Sequence, residues 1–174
     1  MQFNVAQLLK EVVGSTRSYQ VGSDLQMDGE VRHVSGSLEM IRTDAGILVR
    51  AEVVVPAEAE CSRCLSPVPG RKRLILEEEF LPTVDVVSGT RVNRDRDPEA
   101  FTIDENHILD VSEAIRQYWV LAEPMHPLCK ETCAGLCAIC GRNRNIERCD
   151  CRTDDERWST LAELAGALRE SERS

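Results

Sequence analysis

The chain has 174 residues and a formal net charge of −9, which suits one ordinary domain with a small appendage. This charge excludes a protein that attracts nucleic acid or anionic membranes through its overall field, so any phosphate contact must come from a local basic patch. The start of the chain lacks a basic segment before an apolar run, unlike a secretory signal. No apolar stretch approaches the roughly 18 residues of a membrane span. We therefore expect a cytoplasmic protein with no membrane partner.

The first half of the chain predicts one helix and then a sheet. Apolar residues at helical spacing over residues 4–13 predict a short helix that ends at Gly14, and residues 16–21 are interpreted as a strand. Three runs with turn residues between them predict an antiparallel meander; they cover residues 29–41, 47–55 and 71–81. Leu74, Leu76 and Phe80 alternate with charged residues in the last run, which indicates one buried face and one solvated face.

The second half predicts a polar loop over residues 88–98, a short strand at 101–103 and a helix that runs to about Ala122. Asp110 to Glu113 offer a capping box for this helix. A last amphipathic helix follows the cysteine-rich segment. The sequence as a whole predicts an α+β fold, whose antiparallel sheet is an open meander or is curled like a barrel. We expect an α+β core domain over 1–128, a cysteine-rich zinc knuckle over 129–153 and a C-terminal helix over 154–174.

The eight cysteines fall into four close pairs. The pairs are Cys61 with Cys64, Cys129 with Cys133, Cys137 with Cys140, and Cys149 with Cys151. In a reducing compartment such pairs are more often metal ligands than disulfides. Zinc prefers four thiolate or imidazole ligands in a tetrahedron, and Cys-x2-Cys brings two sulfur atoms to one ion. The spacing predicts one site from the last two pairs and another from the first two, with one or two structural zinc ions in all.

Other interpretations of the cysteines stay open at this point. Cys61 and Cys64 could instead share a site with Cys137 and Cys140. A secreted disulfide scaffold would usually be shorter and richer in cysteine, and buried free thiols need no metal. The spacing Cys133-x3-Cys137-x2-Cys140 also occurs in radical S-adenosylmethionine enzymes, which need a much larger barrel. A thioredoxin-type redox centre needs a βαβ context that is lacking in this sequence.

Several motifs together resemble the YceD family of large ribosomal RNA subunit accumulation proteins. They are LLKEVVGSTRSY near the start, CSRCLSP at 61–67, ILDVSEAIRQ at 108–117, PMHPLC at 124–129, and GLCAICGRN at 135–143 with a later CDC. The resemblance implies a noncatalytic factor of bacteria and plastids that is needed for normal levels of large-subunit (23S) ribosomal RNA. The implied partner is that RNA or a pre-ribosomal particle, with a ribosomal protein as a further candidate.

Basic residues gather beside the cysteines and are the candidate RNA contacts. They are Arg63, Arg71, Lys72, Arg73, Lys130, Arg142, Arg144, Arg148 and Arg152. Arginine binds phosphate well through its forked donors, but the same residues could simply neutralise thiolates. The alternative function is a zinc-stabilised adaptor whose acidic runs, at 77–79 and 95–99, dock a basic ribosomal protein. We expect no catalytic residues and no small-molecule substrate, because no phosphate loop or nucleophile motif is found.

Overall fold

A computed structural model describes residues 1–92 and 100–151, together with Leu161. The predicted helix over 154–174, apart from Leu161, lies outside this part, as do Arg152 and the acidic run at 95–99. The chain divides into two compact units. The first comprises residues 1–59 and 68–125, and the second comprises residues 60–67 with the described residues from 126 onward.

The first unit is built on a seven-stranded mixed sheet with two helices. The strands are β1 (Gln2–Asn4), β2 (Thr16–Met27), β3 (Glu30–Arg42), β4 (Ile47–Glu60), β5 (Pro67–Pro82), β6 (Phe101–Ile103) and β7 (Ile108–Asp110), and the helices are α1 (Ala6–Lys10) and α2 (Ser112–Leu121). The strand order is β1-β7-β6-β5-β4-β3-β2. No helix in the described ranges is long and apolar enough to cross a membrane.

The predicted antiparallel meander is only partly right. Strands β2, β3 and β4 pair antiparallel in succession, and β7 pairs antiparallel with β1 and β6. Strand β6, however, pairs parallel with β5. A tight hairpin forces an antiparallel pair, whereas the long connection between residues 82 and 101 lets the chain return to the same end of the sheet. The balance of the predicted α+β class is also corrected, because the described residues are mostly strand.

The predicted elements differ from the observed ones mainly at their ends. Helix α1 is only five residues long, and β2 continues well beyond the predicted strand at 16–21. The predicted capping box of α2 does not form: Asp110 accepts a hydrogen bond from the Ser112 N–H at 2.9 Å, but Glu113 pairs with Arg116 at 2.8 Å. No sequence pattern predicted the three-residue strands β1 and β7.

The sheet curls until its two ends approach each other. Phe3 in β1 and Tyr19 in β2 have ring centroids 5.0 Å apart, although these strands stand at opposite ends of the strand order. Inside, alternate residues of the long strands form one hydrophobic core with α2, as the buried face predicted for β5 requires. Trp119 of α2 is buried there, and its indole N–H donates to the Asp28 carboxylate at 2.5 Å.

Two glycines stand where backbone segments touch. A Cβ added to Gly36 in β3 would lie 2.1 Å from the Glu52 carbonyl oxygen. A Cβ added to Gly46, at the end of the turn between β3 and β4, would lie 2.1 Å from the Phe80 carbonyl oxygen. Both neighbours are backbone atoms of adjacent strands, so they cannot move aside without distorting the ladder. Glycine is therefore needed at both positions for steric reasons.

Replacing Gly36 with alanine should lower the free energy of unfolding by about 1–3 kcal/mol, because the added methyl group overpacks a rigid sheet. Urea unfolding of the first unit, followed by circular dichroism, measures the change. Gly70→Ala is the matched control: it also lies in a strand, but its added Cβ would meet nothing within 4 Å. If both variants unfold at the same urea concentration, the close approach at Gly36 is wrong.

Candidate metal centres

The segment between β4 and β5 forms a tight knuckle turn around the first cysteine pair. The Cys61 N–H donates to the Ser66 carbonyl at 2.9 Å, and the Leu65 N–H donates to the Cys61 carbonyl at 2.9 Å. Leu65 follows the second cysteine, Cys64, and has a φ of 57°, which is left-handed backbone that disfavours side chains with a Cβ. The turn buries both cysteines.

The second knuckle repeats the same hydrogen bonds with different residues. The Cys137 N–H donates to the Arg142 carbonyl at 2.8 Å, and the Gly141 N–H donates to the Cys137 carbonyl at 2.9 Å. Gly141, which follows Cys140, has a φ of 71°, a left-handed backbone conformation that glycine adopts without strain. The two Cys-x2-Cys segments thus share one backbone conformation.

Each knuckle gathers a second cysteine pair into a four-sulfur cluster. We call Cys61, Cys64, Cys129 and Cys133 the first centre, and Cys137, Cys140, Cys149 and Cys151 the second centre. Within each centre all four sulfur atoms lie within 4.8 Å of one another. This is the grouping predicted from the spacing, and the alternative that joins the two Cys-x2-Cys pairs is wrong.

The sulfur spacing in the first centre fits a tetrahedral metal site. The Cys61 and Cys133 sulfur atoms are 3.8 Å apart, and those of Cys64 and Cys129 are 3.6 Å apart. A zinc–sulfur bond of about 2.3 Å in a tetrahedron gives sulfur atoms about 3.8 Å apart, whereas a disulfide bond is about 2.05 Å long. All eight cysteines are free thiols. The donor set therefore fits a divalent ion that prefers thiolates.

The second centre is more open to solvent than the first. Of its cysteines only Cys137 is buried, and Cys140 is exposed. A cavity of about 340 Å³ lies against this centre and is lined by Arg142 and Arg148 as well as by three of the cysteines. Two cationic side chains, together with the acidic Asp150, therefore line the cavity beside the exposed Cys140.

The described part of the second unit has almost nothing but cysteine in its interior. Among its described residues, the buried side chains are those of Cys61, Cys64, Cys133 and Cys137. The hydrophobic core cluster draws all of its residues from the first unit. A segment of this size cannot be stabilised by burying four small thiols, since folds that lack a core need a metal, disulfides or a partner. This is the strongest physical indication that the centres bind metal.

The thiols within each centre differ in pKa. A hydrogen bond from the Cys129 N–H lowers the pKa of Cys61 to about 6, and one from the Cys140 N–H lowers the pKa of Cys137 to about 6. Burial, together with the neighbouring Cys64 thiol, raises the pKa of Cys129 to about 12. A metal ion must therefore displace protons from the thiols with a raised pKa. The affinity of the centre for metal falls as the pH is lowered.

The candidate RNA contacts are spread over both units. In the second unit Lys130, Arg142, Arg144 and Arg148 are exposed, and Arg142 lies 3.8 Å from Glu147. The Arg63 guanidinium in the same unit donates to the Cys133 carbonyl at 3.0 Å, so it supports the first centre.

The three basic residues of β5 belong to the first unit and point to different faces. Arg71 and Arg73 are exposed, and Arg73 pairs with Glu52 at 2.8 Å. Lys72 has a side chain only 11% exposed, and its ammonium lies 3.9 Å from the centre of the Trp119 ring. Lys72 is thus held against the core and is poorly placed for phosphate.

Two asparagines near the centres were missed from the sequence. The Asn145 amide donates to the Cys133 sulfur at 3.2 Å, and the Asn143 amide donates to the Ser66 hydroxyl at 3.3 Å. Both lie in the segment between Cys140 and Cys149. The available signal was the Asn-x-Asn pattern in a loop that is otherwise charged, since such side chains often satisfy loop backbone groups.

The fold and its clusters define a small mixed-sheet protein with two four-cysteine centres. A family profile described as "Large ribosomal RNA subunit accumulation protein YceD" matches residues 49–165, and the chain belongs to this YceD family, as the motifs predicted.

The chain is also similar to mycobacterial proteins. It is 33% identical over 154 residues to an uncharacterized protein of Mycobacterium tuberculosis, covering 83% of this chain and 64% of that protein. It is 29% identical over 126 residues to an uncharacterized protein of Mycobacterium leprae, covering 72% of this chain and 52% of that protein. The chain thus spans less than two thirds of the length of these relatives. No solved structure matches it.

The two knuckles should respond oppositely to changes at the residue after the second cysteine. Leu65→Gly should stabilise the metal-loaded second unit by up to about 1 kcal/mol, because left-handed backbone costs leucine more than glycine. Gly141→Ala should destabilise it by about 1 kcal/mol for the same reason, since the added Cβ meets nothing within 4 Å. Denaturant unfolding, followed by the Co²⁺–thiolate absorption band, gives both values. Shifts of the same sign would contradict the shared turn.

Proposed function

We propose that both centres bind Zn²⁺ as structural ions and that the protein is a noncatalytic factor supporting the accumulation of large-subunit ribosomal RNA. The observation that carries the zinc proposal is the interior of the second unit, where, among the described residues, buried cysteines take the place of an apolar core. Thiolate-only, tetrahedral clusters favour zinc among the common divalent ions. The ribosomal part rests on membership of the YceD family.

A noncatalytic role agrees with the donor sets. In both centres found among the described residues every ligand candidate is a cysteine, and four thiolates fill a tetrahedral zinc site without an open position for water or substrate. His33 is bonded to Asp24 at 2.7 Å, and His126 is exposed. Neither histidine joins a cluster, so each centre supports a structural ion better than a catalytic one.

The exposed basic side chains of the second unit are the best candidates for RNA contact. A zinc ion with four thiolates carries a charge of about −2, so each loaded centre adds negative charge to an already acidic chain. Exposed arginines near such centres counter this charge locally and leave donors directed to solvent. Arg144 and Arg148 suit phosphate better than Lys72, which packs on Trp119, or Arg73, which pairs with Glu52.

Elemental analysis of protein purified without chelator should find about two zinc ions per chain. Zinc removal should unfold the second unit and spare the sheet, because the sheet has its own hydrophobic core. Hydrogen exchange measured on peptides tests this: peptides from 60–67 and 126–151 should lose protection, and peptides from β4 should keep it. Purified protein without zinc, or a second unit that stays protected after zinc removal, would count against the zinc proposal.

Reversing Arg144 and Arg148 to glutamate should weaken binding to 23S ribosomal RNA fragments and reduce the slope of log K against log salt by about 1 for each lost phosphate contact. The control variant reverses Arg17 and Arg50, which pair with Glu11 and Glu77 in the first unit. It makes the same change in net charge. Equal losses of RNA affinity in the two variants would mean that only overall charge matters. Unchanged binding in both variants would contradict the proposed contact.

The adaptor alternative is less well supported by the structure. Each acid of the run 77–79 already has a partner in the first unit: Glu77 pairs with Arg50, Glu78 accepts from the Tyr118 hydroxyl at 2.8 Å, and Glu79 accepts from Thr43 at 2.6 Å. These carboxylates are therefore less available to a basic partner. Salt-sensitive binding to a purified ribosomal protein, with no binding to RNA, would favour the adaptor.

The cellular role is tested by sedimentation. A gently lysed native host is run on a sucrose gradient, and each fraction is blotted for this protein and scored for precursor ribosomal RNA. We expect co-sedimentation with immature large-subunit particles that is lost at high salt, since phosphate contacts are screened. If the protein stays at the top of the gradient at low salt, it does not act on the particle.

A further inference from the structure

The two centres are connected by backbone hydrogen bonds within the second unit. The Leu136 N–H, just before the second knuckle, donates to the Arg63 carbonyl inside the first knuckle at 3.0 Å. Gly135, with a φ of 71°, makes this approach possible, because a Cβ there would lie 3.1 Å from the Arg63 oxygen. The backbone that enters one centre is therefore held by the backbone that forms the other.

The loop that closes the second centre also reaches the first. This loop, residues 141–148, joins Cys140 to Cys149. Asn145 in the loop donates its amide to the Cys133 sulfur at 3.2 Å and accepts the Ala134 N–H at 2.9 Å. One side chain thus contacts both a sulfur atom of the first centre and the backbone next to it.

A second asparagine fixes the shape of this loop. The Asn143 side-chain oxygen accepts the Asn145 N–H at 2.9 Å and its side-chain amide at 2.8 Å. The Asn143 amide donates to the Ser66 hydroxyl at 3.3 Å, and Leu136 and Asn143 form an antiparallel bridge. Asn143 therefore orients Asn145 and itself contacts the first knuckle.

We propose that the two centres bind metal cooperatively, with Asn145 as the positioning residue that couples them. A metal in the second centre fixes both ends of loop 141–148 and so places the Asn145 amide on the Cys133 sulfur. A hydrogen bond to a thiolate stabilises its charge, and such partners of metal ligands commonly change affinity ten- to a hundredfold. Linkage is reciprocal, so a metal in the first centre favours the second to the same extent.

This proposal rests on the proposed binding of metal by both centres, and the test separates the two. Zn²⁺ affinity is measured by chelator competition for the intact chain, for a Cys137→Ser, Cys140→Ser chain that keeps only the first centre, and for a Cys61→Ser, Cys64→Ser chain that keeps only the second. With coupling, the overall two-metal binding constant exceeds the product of the single-centre constants by about 5- to 150-fold. We call the ratio of the two-metal constant to this product the excess. An excess near one, with two ions bound, would show that the coupling proposal alone is wrong. Absence of bound zinc overturns both proposals.

Asn145 variants then test the coupling residue. Asn145→Ala should bring the excess close to one. Asn145→Asp keeps an oxygen for the Ala134 N–H but loses the donor to Cys133, so it should also bring the excess close to one if the sulfur contact is responsible. Ile146→Ala is the control: it changes the next residue of the same loop, whose side chain is 79% exposed, and should leave the excess unchanged. An unchanged excess in both Asn145 variants overturns the role of Asn145.

Native mass spectrometry of the same chains gives a reading that does not depend on the cysteine variants, which could fail to fold. During Zn²⁺ titration the intact chain should pass from no metal to two metals with little of the one-metal form. Asn145→Ala should accumulate the one-metal form at half saturation, and Ile146→Ala should not. An intact chain with at least half of its molecules in the one-metal form at that point contradicts cooperative binding.

Discussion

The convergence of four sulfur atoms in each centre is the constraint on which the second unit depends. Thiolates within 4.8 Å of one another repel strongly in a poorly solvated site. Within the first centre, a backbone hydrogen bond from Cys129 lowers the pKa of Cys61 to about 6, whereas burial raises the pKa of Cys129 to about 12, so the four thiols do not ionise together. A divalent cation relieves the repulsion for all four sulfur atoms at once. The described part of this unit buries little besides cysteine, which supports the proposal that its order depends on such a cation.

The first unit is stabilised in a different way. Its sheet is stabilised by apolar side chains on alternate strand positions and by α2, whose Trp119 is fixed by Asp28 and covered by Lys72. Metal contributes nothing to these contacts. The segment that carries Cys61 and Cys64 nevertheless belongs to the second unit, so the first centre brings together cysteines 65 positions apart, Cys64 and Cys129. Closing so long a loop restricts the unfolded chain more than a local knuckle would.

Sequence alone predicted what depends on local chemistry. The Cys-x2-Cys spacing predicted the two centres, and apolar runs separated by turn residues predicted β3, β4 and β5. The parallel pairing of β6 depends on the path of a long connection, which has no local signal, and three-residue strands such as β1 are too short to show a period. The position of Lys72 could have been predicted from the sequence, because strand alternation places it on the same face as Leu74 and Leu76. The asparagine contacts could not be predicted, since they join residues of separate loops.

The proposed metal binding and the proposed function in ribosomal RNA accumulation would be linked thermodynamically. Arg144 and Arg148 lie on the second unit, and if the order of this unit depends on metal as proposed, an RNA bound through them would bind the loaded form better than the metal-free form. Any ligand that prefers one form stabilises it, and the effect is mutual. Metal would then strengthen RNA binding without touching RNA, and RNA would slow metal loss. If the two centres also load together, the basic surface would be either fully assembled or lost, so that a partly loaded chain would contribute little to binding.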